Sequence, residues 1–289
     1  MKSPWSRLPK AFCLSALSAL FLLLGVAPAE PVRVRIVAAN LTSGDNQSYD
    51  PGHGIRILQA LKPDVVLIQE FRYQKGPLRQ LVNQVAGSTS QFYCEGGEGI
   101  PNGVISRWPI KQSGSWADPN VGNRDFAYAV IDLPGDKDLW AVSVHLLAGS
   151  EDVERRNDQA ERLVSLIKKN VPKGQYLALG GDFNTQVRGE LCVGTLGEVV
   201  VNYGPYPTDQ SGDGDTSANR NKPYDWVLAN DELHARMVPV PIAGRAFPGG
   251  LVFDSRVFSP IASAAPAERG DSGAQNMQHM AVIRDFVLP

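Results

Sequence analysis

Two rhythms of apolar positions run along this chain. Val32 to Ala39 sets β-branched residues against Arg33 and Arg35, a period of two that predicts a strand ending at Asn40. Gly54 to Leu61 places Ile55, Leu58 and Leu61 at helical spacing, with Pro63 to stop the helix. Val65 to Ile68 is an unbroken apolar run, suited to a buried strand. Asn102 to Ser106, Ala127 to Leu133 and Leu139 to His145 predict further strands. Glu151 to Asn170 predicts the longest helix, because Val153, Ala160, Leu163, Val164 and Ile167 form one stripe and the charges lie on the other faces. Tyr176 to Leu179 predicts a strand stopped by Gly180-Gly181, and Tyr224 to Leu228 and Ala281 to Leu288 predict two more. Ala262 to Gly273, small and polar, predicts a mobile loop. Strands alternate with helices early and short strands dominate later, a pattern that two packed sheets with outer helices satisfy.

The amino terminus changes the picture. Lys2, Arg7 and Lys10 accompany an uncharged run from Ala11 to Val26, followed by small residues at Ala27-Pro28-Ala29. This is the pattern of a secretory signal peptide over residues 1–29. The run falls short of the roughly 20 residues a bilayer span needs. The expected product, residues 30–289, is secreted or periplasmic, has no stable membrane anchor, and is a monomer with one large α/β domain. The formal net charge of the whole chain is −2, and loss of the leader's basic residues makes it more negative. Acidity by itself does not favour nucleic-acid binding, but it suits a metal site, where the cation supplies the local positive charge. Cys94 and Cys192 would remain, both in Gly-rich surroundings. In an oxidising compartment a bridge between them is the expectation. It would close a loop of roughly 100 residues, worth about 4–5 kcal/mol by chain entropy.

Candidate chemistry sits just beyond the apolar strands. Asn40, Gln69-Glu70, His145, Asp182-Phe183-Asn184, Asp225 and His279 each lie at or next to a predicted strand end. Taken singly, an Asp or Asn there is a turn residue or a helix cap. The order Asn40, Gln69-Glu70, Asn102-Gly103-Val104-Ile105-Ser106, Ser143-Val144-His145, Gly181-Asp182-Phe183-Asn184, Tyr224-Asp225 and His279 resembles the endonuclease/exonuclease/phosphatase superfamily, in particular its pancreatic deoxyribonuclease-like branch. The resemblance implies an α/β four-layer sandwich: two packed mixed β-sheets flanked by helices. It also implies a metal-dependent hydrolase of phosphate esters. Glu70 is a hard oxygen ligand for Mg²⁺ or Mn²⁺, with Asn40 adding a neutral oxygen. Asp182 would orient or deprotonate the attacking water, and Asn184 would donate to a phosphate oxygen. His279, held by Asp225, would act as general base or phosphate stabiliser. His145 matches the histidine that serves as general acid in that branch. Asn102 and Arg124 are candidate phosphate contacts.

This chain departs from the family's pattern at Gln278, where an Asp normally precedes the last histidine. The change puts a second metal site in doubt. No carboxylate is evident in the sequence to orient His145. Glu70-Phe71-Arg72 resembles the run whose arginine reaches into the DNA minor groove, a setting that suits Arg. Asp209, Asp213 and Asp215 are candidate ligands for a structural Ca²⁺, but no EF-hand glutamate follows, so a solvated loop is the preferred reading. Nucleic acid is the favoured substrate. The alternatives are lipid headgroups or inositol phosphates, for which an exposed aromatic hairpin near Trp108 and Trp116 would be wanted, and a non-catalytic binding protein derived from the family.

Overall fold

The computed structural model describes residues 1, 30–96 and 99–289. The expected signal peptide lies, except for Met1, in residues 2–29, outside the described residues. Residues from Pro31 to Pro289 make one compact unit, built in the order β1 (Val32–Ala39), α1 (His53–Leu61), β2 (Val65–Ile68), α2 (Leu78–Ala86), β3 (Gln91–Cys94), β4 (Gly103–Ser106), β5 (Ile110–Trp116), β6 (Phe126–Ile131) and β7 (Leu139–His145). There follow α3 (Val153–Asn170), β8 (Tyr176–Asp182), α4 (Leu191–Leu196), β9 (Asp225–Ala229), α5 (Asp231–His234), the short strands β10 (Met237–Val238), β11 (Val240–Ile242), β12 (Arg245–Phe247) and β13 (Leu251–Phe253), and finally β14 (Ala281–Leu288).

Among the described residues the strands form a seven-stranded sheet around β14-β1-β2-β4, a five-stranded sheet in the order β5-β6-β7-β8-β9, and a small β11–β12 hairpin. Both large sheets are mixed: β1–β2 and β7–β8 run parallel and their other pairs antiparallel. The parallel pairs are joined through α1 and α3, as parallel neighbours require a crossover. Because side chains alternate across a strand, each sheet feeds two cores. Val34, Ile36, Val65, Leu67 and Val282 meet Ala141, Ala178 and Val227 between the sheets. On one outer face Val37, Val66 and Ile283 pack under α1 and α2. On the other, Val142, Leu179 and Trp226 pack under α3 and α4. Three cores between four layers make the expected sandwich.

Two expectations fail, and the candidate calcium loop is filled from within the chain. Cys94 and Cys192 are free, not bridged. Cys94 packs against the outer core of the first sheet and Cys192 lies in that of the second, so the whole sandwich separates them. Burial pushes both thiols up, to about 12. The segment Ala262 to Gly273 is pinned: buried Asp271 pairs with Arg56 and with His53 Nδ1 at 2.9 Å, tying two short 3₁₀ turns to α1. The acidic loop from Asp209 closes on a guanidinium. Arg220 lies 2.8 Å from Asp209, 3.0 Å from Asp213 and 2.8 Å from Asp254, so an internal cation already pairs with two of the three candidate calcium ligands.

Candidate active site

Strand direction collects the motif residues on one rim. The carboxyl ends of the parallel pairs deliver Asn40 and Gln69-Glu70 from β1 and β2, and His145 and Asp182 from β7 and β8. The antiparallel strands β9 and β14 reach the same rim with their amino ends. Asp225 therefore stands in register with Asp182, and His279 precedes Ala281, which begins β14. Gly180-Gly181 carries β8 through to Asp182, past the stop expected at Leu179. A Cβ on Gly181 would strike the Val144 carbonyl and the Gln69 amide, and one on Gly180 the Trp226 carbonyl. Only glycine allows that approach. Gln69 Nε2 then donates to Ser143 Oγ at 2.9 Å, and Ser143 Oγ donates to Ile68 O at 3.0 Å, bolting the sheets together at the rim.

Asp182 stands at the centre. Its Oδ2 accepts from Asn40 Nδ2 at 3.0 Å and lies 3.2 Å from His145 Nε2 and 3.5 Å from His279 Nε2. Its Oδ1 accepts the Asn184 backbone N–H at 2.8 Å. Glu70 lies beyond Asn40, whose Nδ2 is 3.5 Å from Glu70 Oε1. On the other side His279 Nδ1 donates to Asp225 Oδ2 at 2.8 Å, and the Thr216 hydroxyl donates to the same oxygen at 2.7 Å. Asn40, Glu70, His145, Asp182, Asn184, Asp225 and His279 are all buried. The non-glycine residues Glu70 and Asn184 both take left-handed backbone, at φ 51° and 52°, a strain of the kind that concentrates at functional sites.

Burial and charge set the protonation states. Burial raises Glu70 to about 7, and the neighbouring Asp182 adds to the shift. Burial holds His145 down to about 3 against the pull of Asp182, so it is neutral. Burial would also depress His279, but Asp225 and Asp182 outweigh it and raise the imidazole, leaving His279 charged at neutral pH. Burial pushes Asp225 upward even as His279 draws it down. We take the pair as an ion pair, since both nitrogens of His279 face carboxylates.

The donor set fits a divalent cation. Asn40 Oδ1 and Glu70 Oε2 are buried oxygens with no hydrogen-bond partner among the described residues, and hard oxygens are what Mg²⁺ and Mn²⁺ take. Among the described residues, Asp182, Asp225 and His279 also bring ligand atoms within 4.8 Å of one another. Gln278 is exposed, in a hollow shared with Thr42, Asp45 and Gln47, and stands outside the buried cluster.

Other expectations are redirected. Arg124 is buried, and donates from Nε to the His145 carbonyl at 2.6 Å and from Nη2 to the Leu146 carbonyl at 2.9 Å. It clamps the chain leaving β7, and its charge acts on Asp182 and Glu70 of the site. Asn102 is fully buried, with its amide donating to Asp125 O at 2.7 Å and its Oδ1 without a partner among the described residues. Arg72 is half-buried, beside a hollow with Tyr73, Glu95 and Pro101. His145 finds its carboxylate in Asp182. Two positioning residues had no signal. Tyr49 hydroxyl accepts the Leu41 N–H at 3.0 Å and lies 3.3 Å from the carbonyls of Ala39 and Gln69, tying β1 to β2 below Asn40 and Glu70. Thr216 both donates to Asp225 Oδ2 and accepts its backbone N–H at 2.8 Å.

Similarity to known proteins agrees with this rim. Sphingomyelinase C of Listeria ivanovii is 29% identical over 156 residues, which span 48% of this chain and 43% of that protein. Phospholipase C of Staphylococcus aureus is 27% identical over 156 residues, spanning 48% and 44%. The chain thus matches less than half the length of these relatives. The structure of D. rerio TDP2 complexed with single-strand DNA product superposes with a TM-score of 0.60 at 16% identity, over 88% of this chain and 98% of that one, a likeness of fold. The family model described as endonuclease/exonuclease/phosphatase matches residues 55–259, and with that span the chain belongs to the endonuclease/exonuclease/phosphatase family.

Proposed function

We propose that this chain is a metal-dependent phosphodiesterase. The observation that carries the reading is the position of Asp182 Oδ2, within 3.5 Å of two histidine Nε2 atoms and 3.0 Å from the Asn40 amide. Asn40 and Glu70 would hold Mg²⁺ or Mn²⁺. When bound, the cation supplies Lewis-acid polarisation of the phosphoryl group and offsets charge on the leaving oxygen. Asp182 orients the attacking water and takes its proton, with neutral His145 alongside as a second acceptor. His279, kept cationic by Asp225, faces the charge of the phosphate and carries a proton for the leaving oxygen. This reverses the general-acid assignment that the resemblance implied for His145. Asn184 donates one amide N–H to the Leu146 carbonyl at 3.1 Å, which leaves its second N–H for a phosphate oxygen.

Nucleic acid is the substrate class we favour. Arg72 stands beside Glu70 in the chain, on an open hollow. An exposed aromatic hairpin for a lipid surface does not appear among the described residues. Beyond Met1, their exposed large apolar side chains are the scattered Val187, Leu191, Tyr203 and Val257, and Trp116 is buried against Tyr128. The β11–β12 hairpin exposes Arg245 and Ala246. A second reading, a lipid headgroup, is favoured by the two relatives that share 27–29% identity. The leader-like residues 1–29 support export of a single domain that starts at residue 30, which the amino-terminal sequence of the exported protein checks. The functional test is one panel of plasmid DNA, RNA, bis(p-nitrophenyl) phosphate, sphingomyelin and an inositol phosphate, each with Mg²⁺, Mn²⁺ or EDTA. We expect cleavage of DNA and of the synthetic diester with metal alone. Turnover of sphingomyelin without DNA would move the substrate to the lipid class, and no turnover of any diester would end the enzymatic reading.

A further inference from the structure

The segment Asp215 to Ala218 joins the two partners at the Asp225–His279 end of the rim. Thr216 donates its hydroxyl to Asp225 Oδ2 at 2.7 Å, and its carbonyl accepts the Met280 N–H at 2.7 Å. Ser217 forms an isolated antiparallel bridge with His279. The segment thus spans from β9, in one sheet, to the approach to β14, in the other. It belongs to no helix or extended strand, so side chains around it must hold it in place.

Its two ends are gripped by guanidinium groups that share one carboxylate. Arg220 Nε donates to the Asp215 carbonyl at 2.7 Å, and its Nη1 donates to Asp254 Oδ2 at 2.8 Å. Arg256 Nη1 and Nη2 each lie 3.2 Å from the Ala218 carbonyl. The same side chain donates from Nε to Asp254 Oδ1 at 2.9 Å and from Nη2 to Asp254 Oδ2 at 2.7 Å. Asp254 is 1% exposed and follows β13, whose Phe253 pairs with Ala281 of β14. Burial alone would raise its carboxyl, but hydrogen bonds from Arg256 and Arg220 hold it below the usual range, so it is ionised at neutral pH. Two like charges can stand this close because an anion lies between them. A guanidinium has donors enough to serve a carboxylate and a carbonyl at once in fixed geometry. Asp209 and Asp213 hold Arg220 from the loop side.

We propose that Asp254 is a positioning residue for the Asp225–His279 pair, acting through Arg220 and Arg256, which clamp both ends of the segment that carries Thr216 and Ser217. Its functional part rests on the reading of His279 as the group that carries a proton for the leaving oxygen. The base of the clamp is fixed to the sheet that leads from His279, and the segment it holds touches Asp225 in the other sheet. The clamp therefore sets how acid and imidazole meet across the sandwich.

The test uses the full chain, two variants and two readouts. Asp254→Asn keeps the size of the side chain and removes the shared anion. Arg256→Gln acts at a side chain that is 35% exposed, and it decides if Asp254→Asn does not fold. In amide hydrogen exchange, the Met280 N–H should lose about tenfold in protection in either variant while the amides of β7 keep theirs, the mark of a local opening. In turnover, either variant should lose about tenfold more on an alkyl phosphodiester than on a p-nitrophenyl one, whose leaving oxygen needs little protonation. Neither should add to the loss in a His279→Ala background, since groups that act as one unit are non-additive. Arg256→Lys keeps the charge without the fork, and should fall between wild type and Arg256→Gln in both readouts. Unchanged exchange at Met280 overturns the clamp. A loss of protection spread over the whole chain, or a loss of turnover that persists in the His279→Ala background, overturns the positioning role and leaves Asp254 a part of the fold alone. Equal losses on both leaving groups overturn it too where His279→Ala itself tells them apart. Exchange that quickens at Met280 as expected, in a chain that cleaves no diester, would sink the functional reading and leave the clamp standing.

Discussion

At the Asn40–Glu70 end of the rim, two buried oxygens lack partners and Glu70 is raised to about 7. At the Asp225–His279 end, both imidazole nitrogens face carboxylates and Asp225 Oδ2 has two donors. Both ends are equally buried, so depth does not separate them. The difference lies in the imidazole: each nitrogen of His279 faces a carboxylate, although Asp225 Oδ1, like Asn40 Oδ1 and Glu70 Oε2, has no partner among the described residues. Unpaired buried oxygens cost free energy unless something outside the chain satisfies them. A closed acid–imidazole pair holds a charge in one place with no visitor. In the proposed reading, one end would receive a cation and the other would present a fixed positive charge to a phosphate.

The largest expected effect breaks the open end. Glu70→Ala, or EDTA on the wild type, should lower turnover by roughly 10³-fold or more, since Lewis-acid stabilisation supplies several kcal/mol. Circular dichroism should show an unchanged fold. Full turnover in either case would remove the metal from the mechanism. At the closed end, His279→Ala and Asp225→Asn should each cost about 10²- to 10⁴-fold, and the double variant should be little worse than the worse single, because the pair acts as one unit. Additive losses in kcat/KM would mean two independent roles. Leaving groups sharpen the assignment of the proton. His279→Ala should lose about 10²-fold more on an alkyl phosphodiester than on a p-nitrophenyl one, and His145→Ala should lose equally on both. The opposite pattern would restore His145 as the acid.

Thermal stability tests the open end without turnover. A carboxyl raised to about 7 from 4.5 contributes stability that is complete below pH 4.5 and lost as pH rises through 7. A cation needs the ionised form. Its increment in Tm should therefore be small near pH 5 and grow through pH 7 to a few °C. Glu70→Gln should flatten the profile only in part, since Glu95 is also raised to about 7, and a metal increment that persists in this variant would place the cation elsewhere. The smallest effect is expected from Gln278→Asp. Residue 278 is exposed, so solvent and salt screen an added charge, and the metal concentration for half-maximal rate should change by less than about threefold. A tenfold fall would show that position 278 reaches the cation.

Legibility followed locality. Strand β2 was readable to the residue because its apolar run is continuous and buried on both faces, β1 because Arg33 and Arg35 set a period of two, and β7 and β14 because buried apolar residues fill most of their positions. Strand β5 (IKQSGSW) was not, since only Trp116 of it is buried and its side chains carry little pattern. Helix α2 hides its few apolar positions among Arg, Gln and Asn. Residues of the rim could be read because they follow strands in a family order, but their partners could not. Thr216 meets Asp225 through a loop folded around Arg220, and Arg124 turns inward because two carbonyls lie within its reach.

The sequence by itself determined the strand and helix periods, the residues at the strand ends and the family they imply. Those are local matters of side-chain spacing and covalent order. Only the tertiary structure decided which of those residues share a charge. It put Asp182 between two histidines and left Cys94 and Cys192 on opposite sides of the sandwich. It also buried Arg284, whose Nη2 donates to the Pro205 carbonyl while its Nε and Nη1 have no acceptor among the described residues. Protonation and pairing depend on burial and on distances of a few ångströms between residues far apart in the chain. Those distances exist only after the two sheets have packed.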